Sequence, residues 1–221
     1  MATTVGRSVA GYARRSIAGS GAARLRDLIA APEIVVLPGA FDCFSARLIQ
    51  SERFNACFVT GQGLSGSLIG RPDYGFLTAT ETLTACSRIC ETVDIPVIAD
   101  LDTGFGGPLN VFRTIEQAAA AGVAGFILED QEWPKKCGHM RGRGSPKRVI
   151  SSAEHASKIA AAAEARGDSG MVIIARTEYP GWHSKPWSSP ACSALLLLCS
   201  ILLSNTSIRF PGRTVLARST A

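Results

Sequence analysis

Short apolar runs alternate with longer segments of helical spacing from about residue 34 onward. Runs of this length are typical of buried strands, whereas apolar residues three and four positions apart indicate amphipathic helices. The alternation predicts βαβ units and a parallel sheet. The predicted strands are 34–37, 56–60, 96–100, 125–129 and 171–175, and the predicted helices are 42–52, 79–92, 110–121 and 152–166.

Two of these helices carry a start signal. Thr78 and Glu81, and likewise Ser151 and Glu154, stand three residues apart just before an apolar pattern. This spacing is typical of a capping box, in which the side chains satisfy the free N–H groups of the first helical turn.

The number of strands limits the architecture. A doubly wound sheet and a (β/α)₈ barrel both repeat βα units, so periodicity alone does not separate them. A complete barrel needs roughly 250 residues, and only about five strands precede the point near residue 178 where the pattern stops. We expect 179–221 to be a tail foreign to the domain, from another reading frame or a retained intron. The alternative is a tail that packs as a terminal helix.

The apolar run within this tail is short. It covers ten residues, 194–203, followed by a basic, Ser/Thr-rich end. A membrane-spanning helix takes about 20 residues, so we expect no membrane association.

The net charge of +5 is concentrated at the N-terminus. Residues 1–26 contain five arginines and no acidic residue, and the remainder is balanced. A balanced body has no phosphate-binding footprint, so nucleic acid is not an expected partner. An arm rich in Arg, Ser and Ala is typical of an organelle transit peptide. We therefore expect 1–26 to be a disordered arm that directs import into a mitochondrion or chloroplast, with a cytoplasmic location as the alternative.

The seven cysteines are scattered and include no Cys-x-x-Cys pair. This pattern argues against a disulfide framework or a zinc module and favours a reducing compartment.

Charged residues stand at the ends of three predicted strands: Asp100, Glu129 and Arg176. Loops at the carboxyl ends of parallel strands converge on one face, so these residues are site candidates. Asp100 and Asp102 lie two residues apart before a glycine-rich turn, and such like charges are costly unless a cation is near. Hard oxygen ligands suit Mg²⁺. By itself, Asp-x-Asp is also compatible with a solvated turn.

A thiol follows in a basic loop, Lys135-Lys-Cys137-Gly-His139. Neighbouring cations depress a cysteine pKa and favour the reactive thiolate. The alternatives are a small buried hydrophobic residue for Cys137 and a structural hydrogen-bonding role for His139.

Six motifs in order identify a family resemblance. The chain is similar to the isocitrate lyase / phosphoenolpyruvate mutase superfamily over about residues 25–178, especially to its carboxyvinyl-carboxyphosphonate phosphorylmutase-like and methylisocitrate lyase-like members. The motifs are Pro38-Gly-Ala-Phe-Asp, Pro72-Asp-Tyr-Gly, Asp100-Leu-Asp-Thr-Gly-Phe-Gly, Leu128-Glu-Asp-Gln, Lys135-Lys-Cys-Gly-His and Ile173-Ile-Ala-Arg-Thr.

The resemblance implies a (β/α)₈ TIM-type barrel, incomplete here with about five βα units in residues 27–178. Family members form homo-oligomers, an expectation that is weaker for a shortened chain.

The resemblance also implies the roles of the site residues. The matching metal ligands, for Mg²⁺ or alternatively Mn²⁺, are Asp100, Asp102 and Glu129. The matching substrate-binding residues are Thr60, Gly61, Asp73 and Arg176, and the matching catalytic residues are Cys137, His139 and Arg176.

The implied activity is Mg²⁺-dependent retro-aldol cleavage of a small 2-hydroxy di- or tricarboxylic acid such as isocitrate or methylisocitrate. Phosphoryl transfer on an enolpyruvate phosphonate is the main alternative. Mutases of that branch lack the cysteine of the Lys-Lys-Cys-Gly-His motif, so Cys137 favours cleavage. Oxaloacetate decarboxylation or hydrolysis, an inactive shortened isoform and a carboxylate-binding module without turnover are the other hypotheses.

Overall fold

The computed structural model describes residues 20–136 and 148–177, together with the backbone of two short strands beyond them. Six α-helices lie within these residues: α1 Ser20–Ala30, α2 Cys43–Ser51, α3 Gly61–Ile69, α4 Ala79–Thr92, α5 Pro108–Ala120 and α6 Ser152–Arg166. The strands are β1 Gly39–Ala40, β2 Cys57–Val59, β3 Val97–Asp100, β4 Gly125–Glu129, β5 Val172–Arg176, β6 Ser207–Phe210 and β7 Arg213–Leu216.

The first five strands form one parallel sheet in the order β1-β2-β3-β4-β5. A doubly wound sheet reverses its strand order at a switch point. Here each strand pairs with the next along the chain, and at least one helix precedes every new strand. This arrangement is that of a TIM-type barrel. The predicted α/β class and the count of about five βα units are confirmed.

The side chains of alternate strand residues pack into two separate apolar layers. In β4, Phe126 and Leu128 belong to the larger core cluster, and Ile127 belongs to a smaller one with Ile98 and Leu25. Successive strand side chains point to opposite faces. All five residues of β4 are buried. The sheet therefore needs cover on both faces, which explains why its strands are continuous apolar runs in the sequence.

Helix α1 covers the smaller apolar layer. Leu25 is fully buried against residues of β3, β4 and β5, and Ala22 is buried one turn away. A Cβ atom on Gly125 would lie 2.9 Å from Leu25 Cδ2, so the glycine makes room for the helix. The predicted disordered arm is therefore wrong for residues 20–26, which are helical. Residues 1–19 lie outside the described part of the chain.

Leu25→Ala is expected to lower the free energy of unfolding by about 2–5 kcal/mol, because it leaves a cavity in the smaller apolar layer. Arg26→Ala alters an exposed position on the same helix and serves as the control. Urea unfolding measures both. Equal small losses in the two variants would show that α1 does not pack as described.

The first strand also differs from its prediction. The apolar run 34–37 is not a strand; pairing with β2 occurs at Gly39–Ala40, and Ile34 and Val36 are exposed. Helix α3 was not predicted because three glycines among its first six residues obscure the helical pattern. The starts predicted for α4 and α6 are confirmed: Thr78 and Ser151 are the N-cap residues.

Strands β6 and β7 form an antiparallel hairpin, so this part of the predicted tail is not a helix. The apolar run 194–203 lies outside the described residues. Among the helices in the described part of the chain, none is long and apolar enough to cross a membrane.

Candidate active site

The carboxyl ends of four strands carry the predicted site residues. Thr60 and Gly61 follow β2, Asp100 ends β3, Glu129 ends β4 and Arg176 ends β5. Because the strands are parallel and adjacent, these ends lie on one rim of the sheet. The rim is where the sequence predicted the site.

Three carboxylates converge beside Gly61. A Cβ atom at this glycine would lie 3.2 Å from Asp73 Oδ2, 3.3 Å from Asp100 Oδ2 and 3.4 Å from Asp102 Oδ1. The residue is the first of helix α3, where N–H groups lack helical partners and the helix dipole is positive. The missing side chain thus lets three acids approach a helix N-terminus, which also suits an anionic substrate group.

Thr60 sets the start of this helix. Its backbone is extended and its Oγ1 accepts a hydrogen bond from Gly63 N at 3.0 Å. The threonine predicted to hold a substrate carboxylate is therefore an N-cap residue. Its hydroxyl proton is not used by this contact.

The backbone after β3 turns sharply. Asp102 has φ 53°, Gly104 has φ 84° and Phe105 has φ 59°. Asp102 N donates to Asp100 Oδ1 at 3.1 Å, and Glu129 N donates to Asp102 O at 2.8 Å. Left-handed backbone at non-glycine residues is costly and persists only where neighbours impose it. The turn brings the Asp102 carboxylate back toward Asp100 and Asp73.

Lys135 lies among these acids, and its role was not predicted. Its Nζ atom is 2.8 Å from the carboxylate oxygens of Asp73 and also donates to Asp102 Oδ1. The residue is 3% exposed. The sequence pattern assigns Lys135 only to the basic loop around Cys137. The signal that could have revealed this site is the pairing of Asp73 with a lysine 62 residues away, which one sequence does not show.

The ionisation of the cluster is shifted by burial and by mutual charge. Burial raises the pKa of Asp102 well above its usual value, Asp100 raises it further, and Lys135 opposes the shift. Burial alone would lower the pKa of Lys135, but Asp100, Asp102 and Asp73 together raise it above its usual value. The ammonium therefore stays charged and partly neutralises the acids.

Glu129 and Arg176 form a second pair on the rim. Arg176 Nη1 lies 3.4 Å from Glu129 Oε2, and Gln131 Nε2 donates to Glu129 Oε1 at 2.9 Å. Burial raises the pKa of Glu129, and Arg176 counteracts the shift. A guanidinium group can also bind a carboxylate of another molecule through two parallel hydrogen bonds.

Cys137 and His139 lie outside the described residues. The chain is described up to Lys136, whose backbone N–H donates to Gln131 Oε1 at 2.9 Å. This bond holds Lys136, the residue before Cys137, close to the end of β4.

The donor chemistry of the rim fits Mg²⁺. Asp73, Asp100, Asp102 and Glu129 offer hard carboxylate oxygens, and Mg²⁺ binds through few such groups and retained waters. Within residues 20–136 and 148–177, no three His, Cys, Asp or Glu side chains are arranged to hold a metal ion as they stand. Lys135 supplies the positive charge between Asp73 and Asp102.

Two basic residues of α6, His155 and Lys158, are buried, and Lys158 contacts the loop that follows β3. Lys158 Nζ donates to the Thr103 carbonyl at 3.3 Å, and His155 one turn earlier is 6% exposed with no hydrogen-bond partner at Nδ1. Burial lowers the pKa of His155, Asp130 raises it and Lys158 lowers it again. The net shift is downward, so the fold favours the neutral imidazole.

This shift predicts a pH dependence of stability. The unfolded chain binds a proton at His155 near pH 6.5, whereas the folded chain binds it only at lower pH. Stability should therefore fall as pH decreases below about 6.5. His155→Gln is expected to reduce the difference between urea unfolding free energies measured at pH 7.5 and 5.5. A variant that keeps the full difference would assign the dependence to other groups.

Comparisons with known proteins agree with the motifs. A family profile described as phosphoenolpyruvate phosphomutase matches residues 25–188. The chloroplastic carboxyvinyl-carboxyphosphonate phosphorylmutase of Arabidopsis thaliana is 49% identical over 163 residues, which cover 73% of this chain and 47% of that protein.

Two solved structures share the fold. A 2,3-dimethylmalate lyase, described as a PEP mutase/isocitrate lyase superfamily member, superposes with a TM-score of 0.67 at 37% identity over 74% of this chain and 54% of the other. A phosphonopyruvate hydrolase in complex with oxalate and Mg²⁺ gives 0.64 at 32% identity, covering 72% and 52%. The chain spans about half the length of these relatives. It belongs to the phosphoenolpyruvate phosphomutase family, within the PEP mutase/isocitrate lyase superfamily.

Proposed function

We propose that this chain supplies the metal-binding part of a Mg²⁺-dependent carbon–carbon lyase acting on a small 2-hydroxy di- or tricarboxylic acid. The observation that carries the proposal is the convergence of three carboxylates beside Gly61, at the N-terminus of α3. Such a cluster is costly unless a cation balances it. The helix N-terminus and Arg176 add positive charge for an anionic substrate.

The residues have separate roles in this proposal. Asp100, Asp102 and Glu129 would hold Mg²⁺, and Asp73 would bind its waters. A bound Mg²⁺ ion would supply Lewis acidity, which favours loss of the proton from the 2-hydroxyl group of the substrate. Thr60, the Gly61 N–H and the Arg176 guanidinium would bind substrate carboxylates and orient the bond to be broken.

The bond changes balance. The 2-hydroxyl loses its proton to a water molecule, the bond between C2 and C3 breaks, and C2 becomes a carbonyl. The electron pair of that bond remains on C3, which then takes a proton. Cys137 is proposed as the donor, with His139 and Lys136 setting the acidity of its thiol.

The test is product formation by the purified 221-residue chain with Mg²⁺. Cleavage of 2,3-dimethylmalate or 2-methylisocitrate releases pyruvate, which lactate dehydrogenase reports through NADH oxidation. Pyruvate that requires both Mg²⁺ and the chain is the expected result. Bound substrate without pyruvate would instead identify a carboxylate-binding module, and neither binding nor turnover would identify an inactive isoform.

Phosphoryl transfer is the second candidate, favoured by the 49% identity to a phosphorylmutase. It would use the same carboxylates. Cys137 favours cleavage over transfer, as the sequence motif predicts. Phosphorus NMR with a phosphonopyruvate substrate separates the two, since only the mutase converts a carbon–phosphorus bond into an oxygen–phosphorus bond. Decarboxylation of oxaloacetate would give pyruvate, and its hydrolysis would give oxalate.

We also propose import into a plastid rather than a mitochondrion. Support comes from the basic, Ser/Ala-rich residues 1–19 and from the chloroplastic description of the Arabidopsis thaliana relative. A reporter fused to residues 1–30 should enter plastids, and a cytosolic reporter would contradict the proposal. A homo-oligomer remains a prediction.

A further inference from the structure

Lys135 is a buried cation that the proposed reaction does not use. Lysine is rarely buried without a charged partner, and here Asp73 and Asp102 both contact its Nζ atom. With Asp100, three carboxylates face one ammonium group. Three carboxyl groups therefore share a single monovalent cation.

The oxygens that Lys135 binds are the ones that converge beside Gly61. Asp73 Oδ2 and Asp102 Oδ1 accept from Nζ, and the same two atoms lie 3.2 and 3.4 Å from the Cβ position of that glycine. An ammonium group and a divalent cation would compete for the lone pairs of these two oxygens. Bound side by side there, the two cations would repel each other. The ammonium group and a divalent cation therefore cannot both bind these two oxygens without weakening each other.

We propose that Lys135 is an exchangeable counter-ion of the metal site. In the metal-free protein its ammonium group holds the acids together, and a divalent cation displaces it from Asp102 on binding. The inference rests on the proposed Mg²⁺ site. In this arrangement the lysine lowers metal affinity while keeping the metal-free site folded.

The displacement should be visible at Trp133, two residues earlier. The Trp133 ring packs against Gly75, where an added Cβ atom would lie 2.4 Å from the ring. Gly75 follows Asp73 in the same loop, so Trp133 and Lys135 contact one loop at two points. Movement of the ammonium group should change the environment of the indole and hence its fluorescence.

The test is Mg²⁺ titration calorimetry on the full chain and on Lys135→Met, which keeps the length of the side chain without its charge. We expect the variant to bind Mg²⁺ about tenfold more tightly or better, since a competing cation has been removed. Its metal-free unfolding temperature should be lower, and Mg²⁺ should raise it more than in the unaltered chain. Lys136→Met retains the backbone bond to Gln131 and is the matched control, with affinity near that of the unaltered chain.

The outcomes separate the two proposals. No Mg²⁺ uptake by either protein would overturn the metal site and this inference with it. Uptake by both with equal affinity, or weaker uptake by the variant, would overturn only the exchange. If Lys135→Met does not fold, Mg²⁺ titration of the unaltered chain decides. A fluorescence change that Trp133→Phe abolishes supports the exchange, and binding without any change contradicts it.

Discussion

Asp102→Asn is expected to weaken Mg²⁺ binding by about 100-fold or more. Loss of residues that only support a metal ligand typically costs about 10–100-fold in affinity, and a ligand should cost at least as much. Asparagine keeps the size of the side chain but removes the charge from the centre of the cluster. Calorimetric titration of the unaltered chain and the variant with Mg²⁺ measures the effect.

The control for this change is Asp130→Asn. Asp130, the residue after β4, is also a buried carboxylate, and its Oδ2 accepts a hydrogen bond from Thr177 Oγ1 at 2.5 Å. It is not one of the three carboxylates that lie nearest Gly61. Its replacement should leave Mg²⁺ affinity within a few-fold of the unaltered value. Equal losses in both variants would indicate a general effect of buried charge rather than a ligand at Asp102.

Cys137→Ser is expected to lower kcat for cleavage by about 10²–10⁴-fold, the range typical of general acid catalysis. Serine is a far weaker acid than a cysteine tuned by neighbouring cations. An intact relative with the same Lys-Lys-Cys-Gly-His motif is the suitable protein for the rate measurement. Mg²⁺ and substrate affinities should stay nearly unchanged, because the proposed role concerns only the departing carbanion.

A higher KM with an unchanged kcat would contradict this role and make Cys137 a substrate-binding residue. An unaffected rate would exclude it as the proton donor. His139→Asn is the companion variant. It should shift the pH dependence of kcat without removing activity, because the histidine is proposed to tune the thiol rather than replace it.

The parts of the fold predicted from the sequence are those set by local pattern. The strand 125–129 was predicted with its observed bounds because a parallel strand buried on both faces is a continuous apolar run. Helix α4 was predicted because Thr78 and Glu81 form the capping box that its first turn requires. Helix α1 was missed because its arginines and alanines match a transit peptide, and among residues 21–30 only Gly21, Ala22 and Leu25 are buried.

The site was predictable where strand ends determine it. Asp100, Glu129 and Arg176 were expected together because parallel strands place their carboxyl ends on one rim, and the structure places them there. The position of Lys135 was not predictable, since its contact with Asp73 spans 62 residues and depends on a loop fold. The glycine-rich start of α3 was not predicted as helical, although the missing side chain of Gly61 gives the three carboxylates room beside the helix.

The carboxylates on this rim are proposed to bind one divalent cation. The most direct measurement is anomalous diffraction at the manganese edge from crystals of the chain grown with Mn²⁺. We expect a single strong peak within coordination distance of the Asp100, Asp102 and Glu129 carboxylates. Crystals without a peak at this rim, or with manganese bound only at other positions, would contradict it.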